Sequence, residues 1–339
     1  MRKTKEENLR LYFKSYEERA IIAQNMPLHM QIEMTNTCNL KCIMCTSAWP
    51  KGAYGERRYL ERKLLQKLCP YYKYSVLVEP QGSGEPMLHK DFMTNLEEIK
   101  KNSASIIFTT NGTLLTQEKI QKLVELYVDV IIFSIDGATK ETFEAIRRGT
   151  TFEKVVGNIK LLNQIKKEAG RKSPHDKPQW MVNFVVMEKN YREMPKMLEM
   201  LHEYNGTFIN FIDLCVHSEE MRAWQKCYGP EDKPLIDEVN GLAKQYGIGV
   251  FHHPSLYDEL SERSVGNASG SNWVCYRPWK SVYVKWDGAI LPCCFWDKRI
   301  DNWGNLTDDG MEDIWNGEKA QKTRTALRAG KYPEAVSYT

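Results

Sequence analysis

Residues 31–214 alternate short runs rich in β-branched residues with amphipathic stretches, and no other feature of the 339-residue chain limits its fold as strongly. Strands are expected at 31–35, 76–81, 106–110, 130–135, 182–187 and 208–214. Between them, segments 60–68, 116–127, 152–165 and 194–204 space apolar residues by three and four, as helices do. Strands and helices in regular succession predict an α/β fold with parallel pairing through right-handed crossovers.

Loops that follow such strands gather on one face, where α/β proteins bind their ligands. The chemistry-bearing residues fall in those loops. After the first strand comes "TNTCNLKCIMCTSAW", with Cys38, Cys42 and Cys45; after the second, "GSGEP", with Gly82, Gly84 and Glu85. "TNG" follows the third strand with Asn111, and "SIDG" closes the fourth with Ser134 and Asp136. Three thiols are one ligand short of a closed four-coordinate site. A structural zinc completed by a histidine is one reading, and an iron–sulfur cubane with one iron open to a cofactor is the other. Gly82 and Gly84 also fit an ordinary turn, and Asn111 and Asp136 precede glycines, as turn formers do.

Composition narrows the class further. Apolar residues at 42% and charged residues at 27% are ordinary for a globular protein. A net charge of +3, from 47 basic and 44 acidic residues, argues against nucleic acid or a membrane surface as partner. The first residues, "MRKTKEENLRLYFKSYEERAIIAQN", lack the apolar core of a secretory signal, and no run nears the roughly 18 apolar residues of a membrane span. A cytoplasmic protein is expected, in which nine cysteines point to metal binding or catalysis rather than a disulfide framework.

The CxxxCxxC spacing of Cys38, Cys42 and Cys45, together with "GSGEP" and Ser134, resembles the radical S-adenosylmethionine superfamily over residues 28–214. The resemblance implies a partial (β/α)6 TIM-like barrel. It also implies a 4Fe–4S cluster on the three cysteines, with S-adenosyl-L-methionine on the open iron and a flavodoxin or ferredoxin as electron donor. Reductive cleavage would give a 5′-deoxyadenosyl radical that abstracts a substrate hydrogen. Residue by residue, Glu85 would accept a hydrogen bond from the cofactor's amino group, with Gly84 admitting backbone close to it. Ser134 and Arg147, in "FEAIRRG", would reach its carboxylate, the arginine by its fork. Arg148 is the alternative, and a solvated helix-end cation is the plain reading of either. Met44 stands where the family usually has an aromatic near the adenine, and Ser83 departs from the family's GGEP.

A second cysteine group opens the last segment. "CYRPWKSVYVKWDGAILPCC" spaces Cys275, Gly288 and Cys293 as CX12GX4C, with Cys294 adjacent, and alternates around "DG" as a hairpin does. Asp309 is a candidate N-cap for the helix that follows. The pattern resembles the SPASM/twitch extension of the same superfamily. One auxiliary 4Fe–4S cluster is implied, because the later CX2CX5CX3C set of a full SPASM domain is absent and "KYPEAVSYT" holds no cysteine. Cys275 and Cys293 are its expected ligands, with Cys294 and Cys227 as further candidates. Six tryptophans from Trp273 onward supply bulk for a small core.

Cys215, at the end of the sixth strand, and Cys227 are candidates to return a hydrogen atom to a substrate radical, as in some radical epimerases. A buried structural cysteine is the alternative for each. His217, His252 and His253 are acid–base candidates or loop residues. The expected organisation is an N-terminal helical extension at 1–28, the radical core at 29–215, a bridge at 216–272 and a small cysteine-rich α+β domain at 273–339. The expected function is dehydrogenation or epimerisation of a sugar- or aminocyclitol-like small molecule, favoured because 28 residues leave no room for a separate peptide-leader domain before the first strand. A peptide-modifying maturase is the alternative substrate reading. A zinc-stabilised binding protein is the alternative of another class.

Overall fold

The computed structural model describes residues 2–45, 56, 58–252, 274–296 and 301–331; the expected linker at 261–272, His253 and Trp273 lie outside the described residues. In chain order the elements run α1 (Arg2–Glu17), β1 (His29–Ile32), α2 (Arg62–Leu68), β2 (Leu77–Glu79), α3 (Phe92–Lys101) and β3 (Ser105–Thr110). There follow α4 (Gln117–Glu125), β4 (Val130–Ser134), α5 (Lys140–Ile146), α6 (Phe152–Glu168), β5 (Gln179–Val186), α7 (Met194–Glu203) and β6 (Phe208–Asp213). The chain continues through α8 (Glu219–Arg222), α9 (Lys233–Tyr246), β7 (Gly249–His252), α10 (Arg277–Lys280), β8 (Ser281–Val284) and β9 (Ala289–Leu291). It closes with β10 (Gly304–Asn305), α11 (Met311–Trp315) and α12 (Glu318–Arg328).

All six expected strands form, with ends displaced by a few residues. Elements α3, α5 and β7 add to the segments read from the sequence. Helix α5 is short and buries only Phe143 and Ile146, too little to show a period. Strand β7 exists because Gly247, at φ 65°, ends α9 in the left-handed conformation and turns the chain back along β6. Gly310, rather than Asp309, is the N-cap of α11. Among the described residues no helix is long and apolar enough to cross a membrane.

Contacts divide the chain into two compact units, Met1–Cys38, Glu56–Phe108 and Asn272–Thr339 in the first, and Asn39–Gly55 and Thr109–Ser271 in the second. In the first, β1 pairs in parallel with β2 on one side and β8 on the other, Met30 standing opposite Val78 and Val282. Strand β8 continues antiparallel to β9, and β9 to β10. The C-terminal hairpin therefore extends the sheet that β1 begins. Helix α3 packs through Phe92, Leu96 and Ile99, three- and four-residue steps, and sets Phe92 edge-on to Phe108 at 5.2 Å.

In the second unit β4, β5, β6 and β7 are all parallel. Helices α4, α5 and α6 start at Thr116, Thr139 and Thr151, whose side chains accept the N–H of Lys119, Thr142 and Lys154. Along β5 alternate residues from Trp180 to Val186 are buried, and Trp180 meets Phe133 edge to face at 5.9 Å. Burial of each such ring stabilises the sheet by about 1.5–3 kcal/mol. The other face of β5 is half-buried and includes Asn183.

Candidate active site

The loop bearing Cys42 and Cys45 is held to the end of α5. Lys41 N–H donates to Arg148 O at 2.9 Å, Ile43 N–H to Ile146 O at 3.0 Å, and Cys45 N–H to Cys42 O at 3.1 Å. Gly149, at φ 104°, makes the turn beside Leu40 that few other residues would adopt. Asn39 fixes the other side of the same loop. Its Oδ1 accepts from Asn111 Nδ2 at 2.9 Å, and its Nδ2 donates to Thr113 Oγ1 at 2.8 Å. Asn111 Oδ1 also accepts Thr113 N–H at 3.0 Å, so Asn111 both forms its turn and clamps the cysteine loop.

Arg147 turns onto that loop as well. Its Nε donates to Asp136 Oδ2 at 2.5 Å and its Nη1 to Cys42 Sγ at 3.7 Å. Burial opposes the guanidinium charge, but Asp136 and the Cys42 thiol outweigh it and hold the pKa of Arg147 above its ordinary value. Asp136 is fully buried, and its other oxygen accepts Val185 N–H at 2.7 Å. Asn190 completes the support by donating to Asp136 O and Val185 O, both at 2.9 Å. Burial raises the pKa of the Cys42 thiol, with Arg147 working in the opposite sense. Arg148, the alternative to Arg147, lines a surface cleft instead.

Met44 packs against the cluster of Ile146, Met187, Leu214 and Met221. Ser134 is half-buried at the end of β4, in register with Asn183 of β5, which in turn is in register with Asn210 of β6. Asn210 Nδ2 donates to Asn183 Oδ1 at 2.8 Å, making a polar row across three strands. Asn183 and Asn210 escaped the sequence reading. Their signal was an asparagine inside the apolar run of each of two strands, "QWMVNFVV" and "FINFID".

In the first unit, the loop after β2 is bonded to the residues that lead to Cys38. Gly84 N–H donates to Thr35 O at 3.1 Å and Glu85 N–H to Thr37 O at 2.8 Å. A Cβ on Gly84 would stand 2.4 Å from Thr37 O, so only glycine lets the two chains meet. Glu85 is buried and accepts Met87 N–H at 3.3 Å, capping the short helical turn Pro86–Leu88. The Thr37 hydroxyl beside Cys38 is buried without a partner among the described residues. A closely packed loop with an orphan hydroxyl at the edge of a cysteine loop suits a polar cofactor held on a thiolate-bound cluster.

The C-terminal thiols sit around the β8–β9 hairpin, whose turn uses Gly288 at φ 84°. Cys293 is buried with Tyr283, Leu291 and Trp296, Cys275 is half-buried and Cys294 exposed. Burial lifts the Cys293 thiol to about 11, with Cys294 and Cys275 adding to the effect. Cys215 and Cys227 are both exposed, and Cys227 follows Lys226, which is fixed by Asp232 at 2.8 Å and by the Tyr191 ring at 4.4 Å. His217 is exposed beyond β6. Among the described residues no three His, Cys, Asp or Glu side chains converge as a metal site. Thiolate ligands are brought together by the metal itself, whose binding free energy is part of folding.

Three thiols in the loop after the first strand of a parallel α/β core, with a second thiol group on a C-terminal hairpin, match what the sequence resemblance implies for an iron–sulfur radical enzyme. A family model for the radical SAM superfamily matches residues 32–201, and one for the SPASM iron–sulfur cluster-binding domain matches 275–336. The chain belongs to the radical SAM superfamily. Its cofactors are accordingly an iron–sulfur cluster and S-adenosylmethionine, and the zinc-stabilised reading gives way. The mycofactocin maturase MftC of Mycolicibacterium smegmatis is 30% identical over 312 residues, 90% of this chain and 74% of that protein. The tungsten-containing aldehyde ferredoxin oxidoreductase cofactor-modifying protein of Pyrococcus furiosus is 27% identical over 328 residues, 91% of this chain and 86% of that protein. Among solved structures, Streptococcus suis SuiB bound to S-adenosylmethionine has a TM-score of 0.70 at 16% identity, covering 93% of this chain and 71% of SuiB. The likeness is one of fold, and SuiB has also been solved bound to the precursor peptide SuiA.

Proposed function

We propose that this radical SAM enzyme is a maturase that abstracts a hydrogen atom from a peptide substrate. The observation that carries the reading is the similarity to the mycofactocin maturase across 90% of the chain, SPASM segment included. The comparisons favour this over the sugar or aminocyclitol substrate expected from the short N-terminal segment. The second unit offers a cleft of about 690 Å³ at the ends of β5 and β6, with Ile43, Met221 and Trp224 as apolar lining and Arg148, Lys189 and Glu220 as charges. Mixed lining of this kind suits an extended peptide, whose backbone needs polar partners and whose side chains need apolar ones.

On this reading Cys38, Cys42 and Cys45 would hold the 4Fe–4S cluster, and Gly84, Glu85, Asn111, Ser134 and Arg147 would shape the S-adenosylmethionine site. Once bound and reduced by a ferredoxin- or flavodoxin-type donor, the cofactor pair supplies a 5′-deoxyadenosyl radical. The protein's part is orientation. Glu85 accepts hydrogen bonds at a fixed point, Arg147 and Asn111 hold the cysteine loop rigid, and the polar row of Ser134, Asn183 and Asn210 faces the half-buried side of the sheet. Cys275 and Cys293 would carry one auxiliary cluster, with Cys294 or Cys227 as further ligand. Exposure of Cys215 and Cys227 supports a chemical rather than a packing role for both. The reducing conditions that such clusters require favour a cytoplasmic setting.

The test is to give the reconstituted enzyme deuterated peptides encoded beside its gene, along with deuterated sugars and aminocyclitols. Deuterium in 5′-deoxyadenosine from a peptide alone is the expected result. Transfer from a sugar or aminocyclitol and from no peptide would reverse the assignment.

A further inference from the structure

Glu33 lies one residue beyond β1, in "QIEMTNTC", and is fully buried. A buried carboxylate is costly unless every lone pair is used, and here five donors meet it. Its Oε2 accepts from Lys285 Nζ at 2.9 Å and from Trp286 N–H at 3.3 Å. Its Oε1 accepts from the Tyr283 hydroxyl at 3.1 Å, Ser83 N–H at 3.0 Å and the Ser83 hydroxyl. Three of these residues belong to the C-terminal hairpin, and the fourth is the serine that departs from the family's GGEP.

Gly82 is tied to the same side chain, since a Cβ there would come 2.4 Å from Glu33 Cγ. The loop 82–85 is thus fixed at every residue: Gly82 by contact with Glu33, Ser83 by hydrogen bonds to it, and Gly84 and Glu85 by backbone bonds to Thr35 and Thr37. The stretch leaving β1 therefore grips the loop at three points, by the Glu33 side chain and by the main-chain oxygens of Thr35 and Thr37.

We infer that Glu33 is a positioning residue for the cofactor loop, its carboxylate fixed by Lys285 and Tyr283 of the C-terminal hairpin so that Ser83 and Gly84 aim Glu85. The inference rests on the reading of Glu85 as a contact to S-adenosylmethionine. It makes the C-terminal hairpin part of the cofactor site by way of one buried ion pair. Ser83 replaces a glycine because its hydroxyl supplies a further donor to that carboxylate.

The experiment measures the dissociation constant of S-adenosylmethionine on cluster-reconstituted full-length protein, alongside iron content and thermal midpoint. Ser83→Ala removes one donor and is expected to weaken cofactor binding about tenfold, the worth of a hydrogen bond to a charged group, with iron content and midpoint unchanged. Two double variants remove both charges: Glu33→Gln with Lys285→Met keeps an acceptor for Ser83, and Glu33→Met with Lys285→Met removes it. The first should bind within about threefold of the parent and the second about tenfold or more worse. Equal affinity in the two, or an unchanged constant in Ser83→Ala, overturns the inference. So does loss of affinity in Ser83→Ala that merely follows loss of iron and stability. If the second double variant does not fold, Ser83→Ala alone decides. Glu85→Ala is the control: if it leaves affinity intact, the loop is not the cofactor loop and the inference falls with that assignment, whereas an effect in Glu85→Ala without one in Ser83→Ala defeats the inference alone.

Discussion

Nη1 of Arg147 lies 3.7 Å from Sγ of Cys42. The guanidinium cannot swing away, because Asp136 holds its Nε at 2.5 Å and is itself bonded to Val185 N–H. On the proposed ligand set Cys42 holds the cluster, and a positive donor on a ligating sulfur raises a cluster's reduction potential. Arg147→Gln should therefore lower the midpoint of the radical SAM cluster by on the order of 60 mV, a decade for a one-electron couple. Redox titration followed by electron paramagnetic resonance measures it, and a midpoint equal to that of the parent would refute the contact.

Replacing Cys38, Cys42 and Cys45 together by alanine should remove about four irons per chain, the content of one cubane. Formation of 5′-deoxyadenosine by the dithionite-reduced protein should stop. Continued cleavage would place the cluster elsewhere.

The raised Cys293 thiol gives a pH prediction with two signs. Below about 11 this thiol is neutral in the metal-free fold, so binding a metal releases its proton, and affinity should rise by about a decade per pH unit between roughly pH 7 and 9. Cobalt(II) titration of the apoprotein, read by thiolate absorption, reports it. The metal-free fold behaves oppositely. Its thiol ionises later than the unfolded one at 9.0, so stability should fall as pH rises from 9 towards about 11. Denaturant midpoints that stay flat across that range would show that Cys293 is not buried in the apoprotein.

Gly84→Ala should abolish S-adenosylmethionine binding while leaving the auxiliary segment loaded. The added carbon would stand 2.4 Å from Thr37 O and 2.5 Å from Thr35 O, both main-chain atoms that cannot yield without moving the loop. Calorimetric titration of the cofactor tests it, and normal affinity would show that the loop does not contribute.

Arg324 is fully buried and donates to Pro278 O, Ile21 O, Trp315 O and the Asn316 side chain, with its carbon centre 4.8 Å from the Trp315 ring. Arg324→Met leaves several carbonyls unpaired and should cost about 3 kcal/mol or more of stability by denaturant unfolding. Arg324→Lys should rescue little, because an ammonium cannot reproduce the planar fork.

Much of the architecture was legible in the chain because periodicity and burial are coupled. Strands such as β5, buried at every second residue, and helices such as α6, apolar at steps of three and four, declare themselves locally. The cysteine spacing was legible for the same reason, since thiols on one loop are neighbours in sequence. Glu33 was not. In the chain it is one acid among many, and only the pairing of β1 with both β2 and β8 brings Ser83 and Lys285 to it. Asp136 suited a turn former and a site residue equally in the sequence, and its hold on Arg147 appears only when that residue returns to it from the end of α5.

The sequence by itself determined the alternation of strands and helices, the thiol sets and the glycine-rich loop, all set by short-range pattern. Tertiary structure alone decided what those loops lean on: Arg147 against Cys42, Asn111 against Asn39, and the 82–85 loop against Glu33. Each of those contacts joins residues far apart in the chain, and buried charges and amides find their partners only when the elements that carry them have packed together.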